Sequence, residues 1–323
     1  MSKNYATSSS LNSVCVFRKD YSFCVNGSCL GCKFCYKDLT PKPPVKYRTA
    51  GLLDIELDYN DSALKVPLTV SRYCDPFYNE SAIKNSLYVM EKILRNNGQI
   101  ILRTAISNIP DEAIDLIKEF PTNVQFQMRV FTGDTAVGIQ LREDLAPGFS
   151  SFRAIFEKGL QLADLGVDTT LFVDPLILGV NNSDLFYFIK AVSKTKINKI
   201  VIKQLFSTPN FKNYLQGFVP RYASLLDKKV GEYYTYDTLE LSKSLLPLFE
   251  HADSKNVNIS VCSNKSLAIL LETSENCCLF DNANAIYKSK SNTKHHKIIN
   301  LKENCNESNL EEQCPETAKR LDN

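Results

Sequence analysis

Short apolar runs rich in β-branched residues recur along this chain, each followed by a longer stretch of helical periodicity. That alternation is the pattern of βα units around a parallel sheet. Strands are expected near 13–17, 66–72, 99–103, 124–130, 169–173, 199–203 and 257–262, and helices over 82–96, 112–119, 151–165, 183–195 and 238–253. No Pro- or Gly-rich linker divides these repeats. The expected fold class is therefore α/β, a partial TIM-type (β/α) barrel of six or more units spanning 1–287. From Lys288 the chain reads KSKSNTKHHK and onward with little apolar content, so 288–323 is expected to form a short, polar, disordered tail.

At 323 residues with 44% hydrophobic content, the chain can fill a sizeable core. Lys and Arg total 38 against 36 for Asp and Glu, so no overall field recruits nucleic acid, and a polynucleotide partner would need a local patch. No apolar run approaches the roughly 20 residues that span a bilayer, and residues 1–12 lack an apolar signal core. The cytoplasm is the expected location, with no membrane partner.

Eleven cysteines are present, four of them within twelve residues at Cys24, Cys29, Cys32 and Cys35. Such clustering in a long, unsignalled chain points to metal rather than to a disulfide framework. In CVNGSCLGCKFCYKD, Gly27 and Gly31 let the backbone turn tightly enough for several sulfurs to converge. Three readings follow. A closed zinc site would use all four thiolates, although zinc knuckles usually come as two separated pairs. A ferredoxin-like cluster suits the Cys29, Cys32, Cys35 spacing, but the cysteine followed by proline occurs only at Cys314-Pro315. The third is a four-iron cluster with one iron open.

The segment NGSCLGCKFCY resembles the cluster loop of the radical S-adenosylmethionine superfamily, whose pattern is Cys-x3-Cys-x2-Cys with an aromatic before the last cysteine. Cys32, Phe34 and Cys35 match its second half, with Tyr36 following, whereas Ser28 stands where the first cysteine would be and Cys29 comes one residue later. Cys29 is the preferred first ligand, with Cys24 as the alternative. Later segments resemble the spore photoproduct lyase-like branch. Cys74-Asp75-Pro76-Phe77 is similar to a strand-ending Thr-Asp-Pro-Tyr. The stretch 145–182 is similar to a Pro-Gly turn, an Arg-bearing helix and a strand ending Pro-x-Ile-Pro-Gly-x-Asn, on Pro147, Gly148, Arg153, Gly166, Pro175, Ile177, Gly179 and Asn181. The third, QIILRTA, has Arg103-Thr104 where the branch tends to have Thr-Lys, so no lysine contact is carried over.

The resemblance implies a [4Fe-4S] cluster held by Cys29, Cys32 and Cys35, with S-adenosyl-L-methionine on the open iron and hydrogen abstraction from a substrate. That substrate could be a DNA photoproduct, a peptide or a small molecule, and an electron donor such as ferredoxin or flavodoxin is implied. Ser71, Arg72 and Asp75 would lie by the methionine portion of the cofactor, and a structural ion pair at the strand end is the alternative. Phe34 and Tyr36 flank the cluster, and Ile177 and Gly179 would let the barrel backbone approach the adenine. Gln127 and Arg129 alternate with apolar neighbours on one strand, so both point to one face and would hold ribose or carboxylate if that face is interior. Cys74 is a candidate hydrogen donor to a substrate radical, against the commoner role of a small buried hydrophobe. The tyrosine-rich 232–236 would line a cleft or pack a loop. A rival reading is a non-catalytic iron–sulfur or zinc protein in which all four cysteines close the site.

Overall fold

The computed structural model describes residues 19–21, 29–35, 67–70, 74–262 and 264–273. All of them fall in one compact unit, Met1–Phe280. The expected tail and the expected strand at 13–17 lie outside the described residues.

Nine strands and nine α-helices are described. The strands are β1 (Lys19–Tyr21), β2 (Leu68–Val70), β3 (Ile100–Thr104), β4 (Val124–Val130), β5 (Asp168–Leu176), β6 (Lys199–Gln204), β7 (Lys228–Val230), β8 (Tyr233–Thr235) and β9 (Asn258–Val261). The helices are α1 (Glu80–Arg95), α2 (Asp111–Glu119), α3 (Ala136–Leu145), α4 (Phe152–Asp164), α5 (Asp184–Val192), α6 (Pro209–Phe218), α7 (Pro220–Ala223), α8 (Thr238–Asp253) and α9 (Lys265–Leu270). The helices begin where local chemistry directs. Asn79, Thr135, Ser151, Thr208, Asp237 and Asn264 each accept an N–H of the following first turn, satisfying a donor that has no partner inside the helix. The helix α1 buries Ala82, Ser86, Val89, Met90, Ile93 and Leu94, a stripe at the 3.6-residue period.

Seven strands form one parallel sheet in the order β1-β2-β3-β4-β5-β6-β9. The order rises monotonically. Right-handed crossovers then put every connecting helix on the same face, and a singly wound sheet curls around the other, which is the construction of a (β/α) barrel. Among the described residues the sheet is not closed, and the architecture is that of a partial barrel. The two faces differ in chemistry. Leu68, Val70, Ile100, Leu102, Phe126, Met128, Leu171, Val173, Ile200, Ile202, Ile259 and Val261 join the apolar core under the helices. Residues between them in each strand point the other way.

The antiparallel hairpin β7-β8 interrupts the βα alternation between β6 and α8, and its strands are absent from the sequence expectation. The hairpin is tied to the end of β6 by Ser207, which exchanges backbone hydrogen bonds with Tyr234. Helices α3 and α6 also went unforeseen. Among the described residues, no helix is long and apolar enough to cross a membrane.

Candidate functional site

The cysteine loop docks across the turn that joins α3 to α4, near the C-terminal ends of the strands. Lys33 N–H donates to the Leu145 carbonyl at 2.9 Å, and Gly148 N–H donates to the Leu30 carbonyl at 3.0 Å. Gly148 is required by contact, because a Cβ there would lie 2.7 Å from the Leu30 carbonyl oxygen and 2.8 Å from Leu30 Cα. Phe34 anchors the loop. It is 3% exposed, with its ring centroid 5.0 Å from Phe131, 6.1 Å from Phe211 and 6.4 Å from Phe149. Burying one phenylalanine is worth about 1.5–3 kcal/mol, enough to seat a short loop. On the outer side Lys33 pairs with Asp144 and lies 4.9 Å from the centroid of the Tyr214 ring.

Cys29, Cys32 and Cys35 are free and half-buried on this loop. Burial pushes the Cys29 thiol up, against the Asp75 N–H that reaches its Sγ at 3.4 Å and against the Arg129 charge. Burial pushes Cys32 up to about 12, Arg129 opposing, with Cys29 and Cys35 adding to the rise. The three thiols share one seven-residue loop. Loading iron onto them must release protons, so it is favoured by higher pH. Among the described residues no group of three or more His, Cys, Asp or Glu is arranged to hold a metal ion. A four-iron cube makes a different demand, since its thiolates bind separate irons and need not converge on one point. The loop fits such a group on three counts: three thiols on one turn, an N–H donated to Cys29 sulfur, and a guanidinium whose field favours thiolates.

Asp75, behind that N–H, is fully buried. Its carboxylate accepts from Ala105 N–H at 2.7 Å, Phe77 N–H at 3.0 Å and Thr104 Oγ1 at 2.9 Å. Desolvation nonetheless holds its pKa above the usual range. The carboxylate thus ties the end of β3 to the segment after β2, and the backbone of Asp75 faces the cysteine loop. Cys74 beside it is buried. Tyr36, Ser71, Arg72 and Cys24 lie outside the described residues.

The turn after β5 is fixed by side chains. Asn181 accepts from Ile177 N–H at 2.7 Å and donates to the Phe131 and Pro175 carbonyls at 2.8 and 2.9 Å. Tyr236 Oη accepts from Leu178 N–H, and Asn182 from Gly179 N–H. Ile177 is fully buried. Gly179 sits at φ +77, and a Cβ there would meet the Tyr222 ring at 2.2 Å. The space beside Gly179 therefore receives a tyrosine of α7, and from the tyrosine-rich segment it is Tyr236 that packs beneath this turn.

Gln127 and Arg129 face the barrel interior, as members of a larger polar array. Arg103 Nε and Nη2 both donate to Gln127 Oε1, at 2.8 and 2.6 Å, Gln127 donates to Gln125, and Gln125 to Asp168. Nearer the strand ends, Asp174 lies 3.2 Å from Arg129 and 3.4 Å from Lys203. Burial works to raise the Asp174 carboxyl, but Lys203, Arg129 and Arg103 outweigh it and hold it below the usual carboxylate range. Arg103, Asp174 and Lys203 were missed as interior residues. Their signal was present as alternation: Arg103 follows Ile101 at period two, and Lys199 and Lys203 bracket Val201.

No family model matches this chain, and no curated protein matches it in sequence. Solved structures do. A spore photoproduct lyase variant with dinucleoside spore photoproduct superposes at TM-score 0.50 and 14% identity, over 71% of this chain and 72% of that one. The chain has the fold of spore photoproduct lyase. A second variant of that lyase, with bound AdoMet and dinucleoside spore photoproduct, gives TM-score 0.50 at 13% identity, again over 71% and 72%. SuiB of Streptococcus suis bound to S-adenosylmethionine gives TM-score 0.45 at 10% identity, over 68% of this chain and 44% of that one. The lyase is the branch that the strand-end motifs resemble.

Proposed function

We propose that this chain is a radical S-adenosylmethionine enzyme whose cluster is held by Cys29, Cys32 and Cys35. The observation that carries the reading is the seating of three free thiols on one anchored loop at the C-terminal mouth of a singly wound partial barrel, where folds of this kind keep their chemistry. Held by Cys29, Cys32 and Cys35, a [4Fe-4S] cluster with one open iron would supply the electron for reductive cleavage of S-adenosylmethionine and so the means of abstracting hydrogen from the substrate. The chain's own part is positional and electrostatic. Phe34 and Gly148 fix the loop, Asp75 N–H donates to Cys29 sulfur, and Arg129 sets a positive field at Cys29 and Cys32. Such donors stabilise thiolate charge and raise the potential of a sulfur-ligated centre. Arg129 is also the cation best placed to receive a cofactor carboxylate. An external one-electron donor such as ferredoxin or flavodoxin would be the reducing partner, and the substrate would enter from the mouth.

The test is anaerobic reconstitution of the full chain. The reduced protein is expected to turn S-adenosylmethionine into 5′-deoxyadenosine, and its cluster spectrum to change when S-adenosylmethionine is added. Cys29→Ala, Cys32→Ala and Cys35→Ala should each lose the cluster, and Cys24→Ala should keep most of its iron. A cluster that needs all four cysteines and whose spectrum ignores S-adenosylmethionine would instead make this a closed metal protein.

A further inference from the structure

We propose that the interior of the partial barrel binds an oxyanion carried by the substrate, a phosphate in preference to a carboxylate, with Arg103 as the central donor and Lys203, Thr170 and Ser260 on the same inner face of the sheet. This deepens the reading above by naming the substrate's chemistry, and it rests on that reading only for the reaction that follows.

Arg103 is the reason. It is 7% exposed and permanently charged, yet its hydrogen bonds among the described residues go to one neutral oxygen, Gln127 Oε1. The guanidinium lies 3.7 Å from the centroid of the Phe172 ring, which fixes its plane without neutralising it. Asp174, the carboxylate whose field it shares, already has Arg129 at 3.2 Å and Lys203 at 3.4 Å. Taking a cation out of water without an anionic partner is costly, and the remaining N–H groups of this fork have no acceptor among the described residues.

Hydroxyls on the same face repeat the pattern. The Oγ1 of Thr170 and the Oγ of Ser260 are buried with no hydrogen-bond partner. Strand register places both in the array: Arg103 pairs with Gln127 and Gln127 with Thr170, while Arg129 pairs with Phe172, Phe172 with Val201 and Val201 with Ser260. Buried polar atoms are seldom left unsatisfied. A forked cation, an ammonium and two hydroxyl donors facing one interior are the donor set that an oxyanion requires. S-adenosylmethionine brings one carboxylate along with an ammonium and a sulfonium, so its net charge is positive and it does not supply the anion that Arg103 lacks. The fork of Arg103 and the hydroxyls of Thr170 and Ser260 together offer more donors than the two oxygens of a carboxylate take up, which favours the additional oxygens of a phosphate.

The test is calorimetric titration of the full chain with inorganic phosphate and, separately, acetate, at ionic strength matched with sodium chloride. Phosphate is expected to bind at least severalfold tighter than acetate. Arg103→Gln and Lys203→Gln should each weaken phosphate about tenfold or more, equivalent to about 1.4 kcal/mol. Asp174→Asn should tighten it, a direction that misfolding cannot imitate. In cluster-loaded protein, saturating S-adenosylmethionine should leave phosphate affinity unchanged. Phosphate binding that ignores all three substitutions, that S-adenosylmethionine displaces, or that acetate surpasses would overturn the proposal. Formation of 5′-deoxyadenosine is scored separately, so its absence alongside intact phosphate binding would refute the radical reading alone.

Discussion

Gly148 and Phe34 decide whether the cysteines are presented at all. Phe34 holds the loop by burying a ring among three other aromatic rings, whereas Gly148 holds it by having no side chain where the loop backbone must pass. The contact at Gly148 is with Leu30 main-chain atoms, which no rotamer change relieves. Gly148→Ala is therefore expected to cost about 1–3 kcal/mol, concentrated in the loop rather than in the sheet. Iron content after reconstitution should fall severalfold while the far-UV circular dichroism stays that of the parent. Full iron loading in this variant would show that the loop seats by some other contact. The cysteines themselves were legible, because spacing alone singles them out. The docking of Leu30 on Gly148, and of Lys33 on Leu145, was not, since the contacts join positions more than a hundred residues apart.

At the scale of elements, strand ends are held together by buried polar side chains rather than by apolar packing alone. Asn181 is fully buried and joins the end of β4, through the Phe131 carbonyl, to the turn after β5. Replacing it strands one N–H and two carbonyls in the interior, at about 1–3 kcal/mol for a buried group left unmade. Asn181→Ala should lower the unfolding free energy by about 2–4 kcal/mol in urea titration, and a change below 0.5 kcal/mol, an order-of-magnitude threshold for a harmless surface substitution, would contradict the assignment. The strands with strong β-branched runs were legible: β4 was expected at 124–130 and is found at Val124–Val130. Helix α3 was not: AVGIQLREDL buries only Gly138 and Leu145 and displays no apolar stripe. Helix α6 was legible though not among the expected helices, because Phe211, Tyr214, Leu215 and Phe218 recur at helical spacing in PNFKNYLQGF. Asp75 illustrates a different limit. A carboxylate at a strand end in sequence carries no mark of whether it faces a ligand or caps its own backbone, and here its oxygens meet Ala105, Phe77 and Thr104.

For the whole molecule, the monotonic strand order divides the labour between two faces of one sheet. The outer face carries the aliphatic core that offsets chain entropy, and the inner face carries Arg103, Gln127, Arg129, Thr170, Asp174 and Lys203, which that core does not need. Stability should then depend on the βα units and not on what lies beyond them. The described core runs from Leu30 to Leu271, with its last members on α9 and just after it. Beyond Tyr287 the sequence is rich in Lys, Asn, Glu and Ser, with Ile298, Ile299, Leu301, Leu310 and Leu321 as its aliphatic members larger than alanine. At about 1.5–3 kcal/mol for each side chain fully buried, five such residues fall well short of the roughly 1–2 kcal/mol per residue needed to order the whole segment. Truncation after Tyr287 is thus expected to leave the thermal midpoint within about 2 °C of the full chain, a shift corresponding to about 1 kcal/mol, and to leave reconstituted iron content unchanged. Differential scanning calorimetry on the two chains decides the matter. A midpoint lowered by about 5 °C or more, which corresponds to a loss of about 3 kcal/mol or more, would mean that the segment contributes to the core after all.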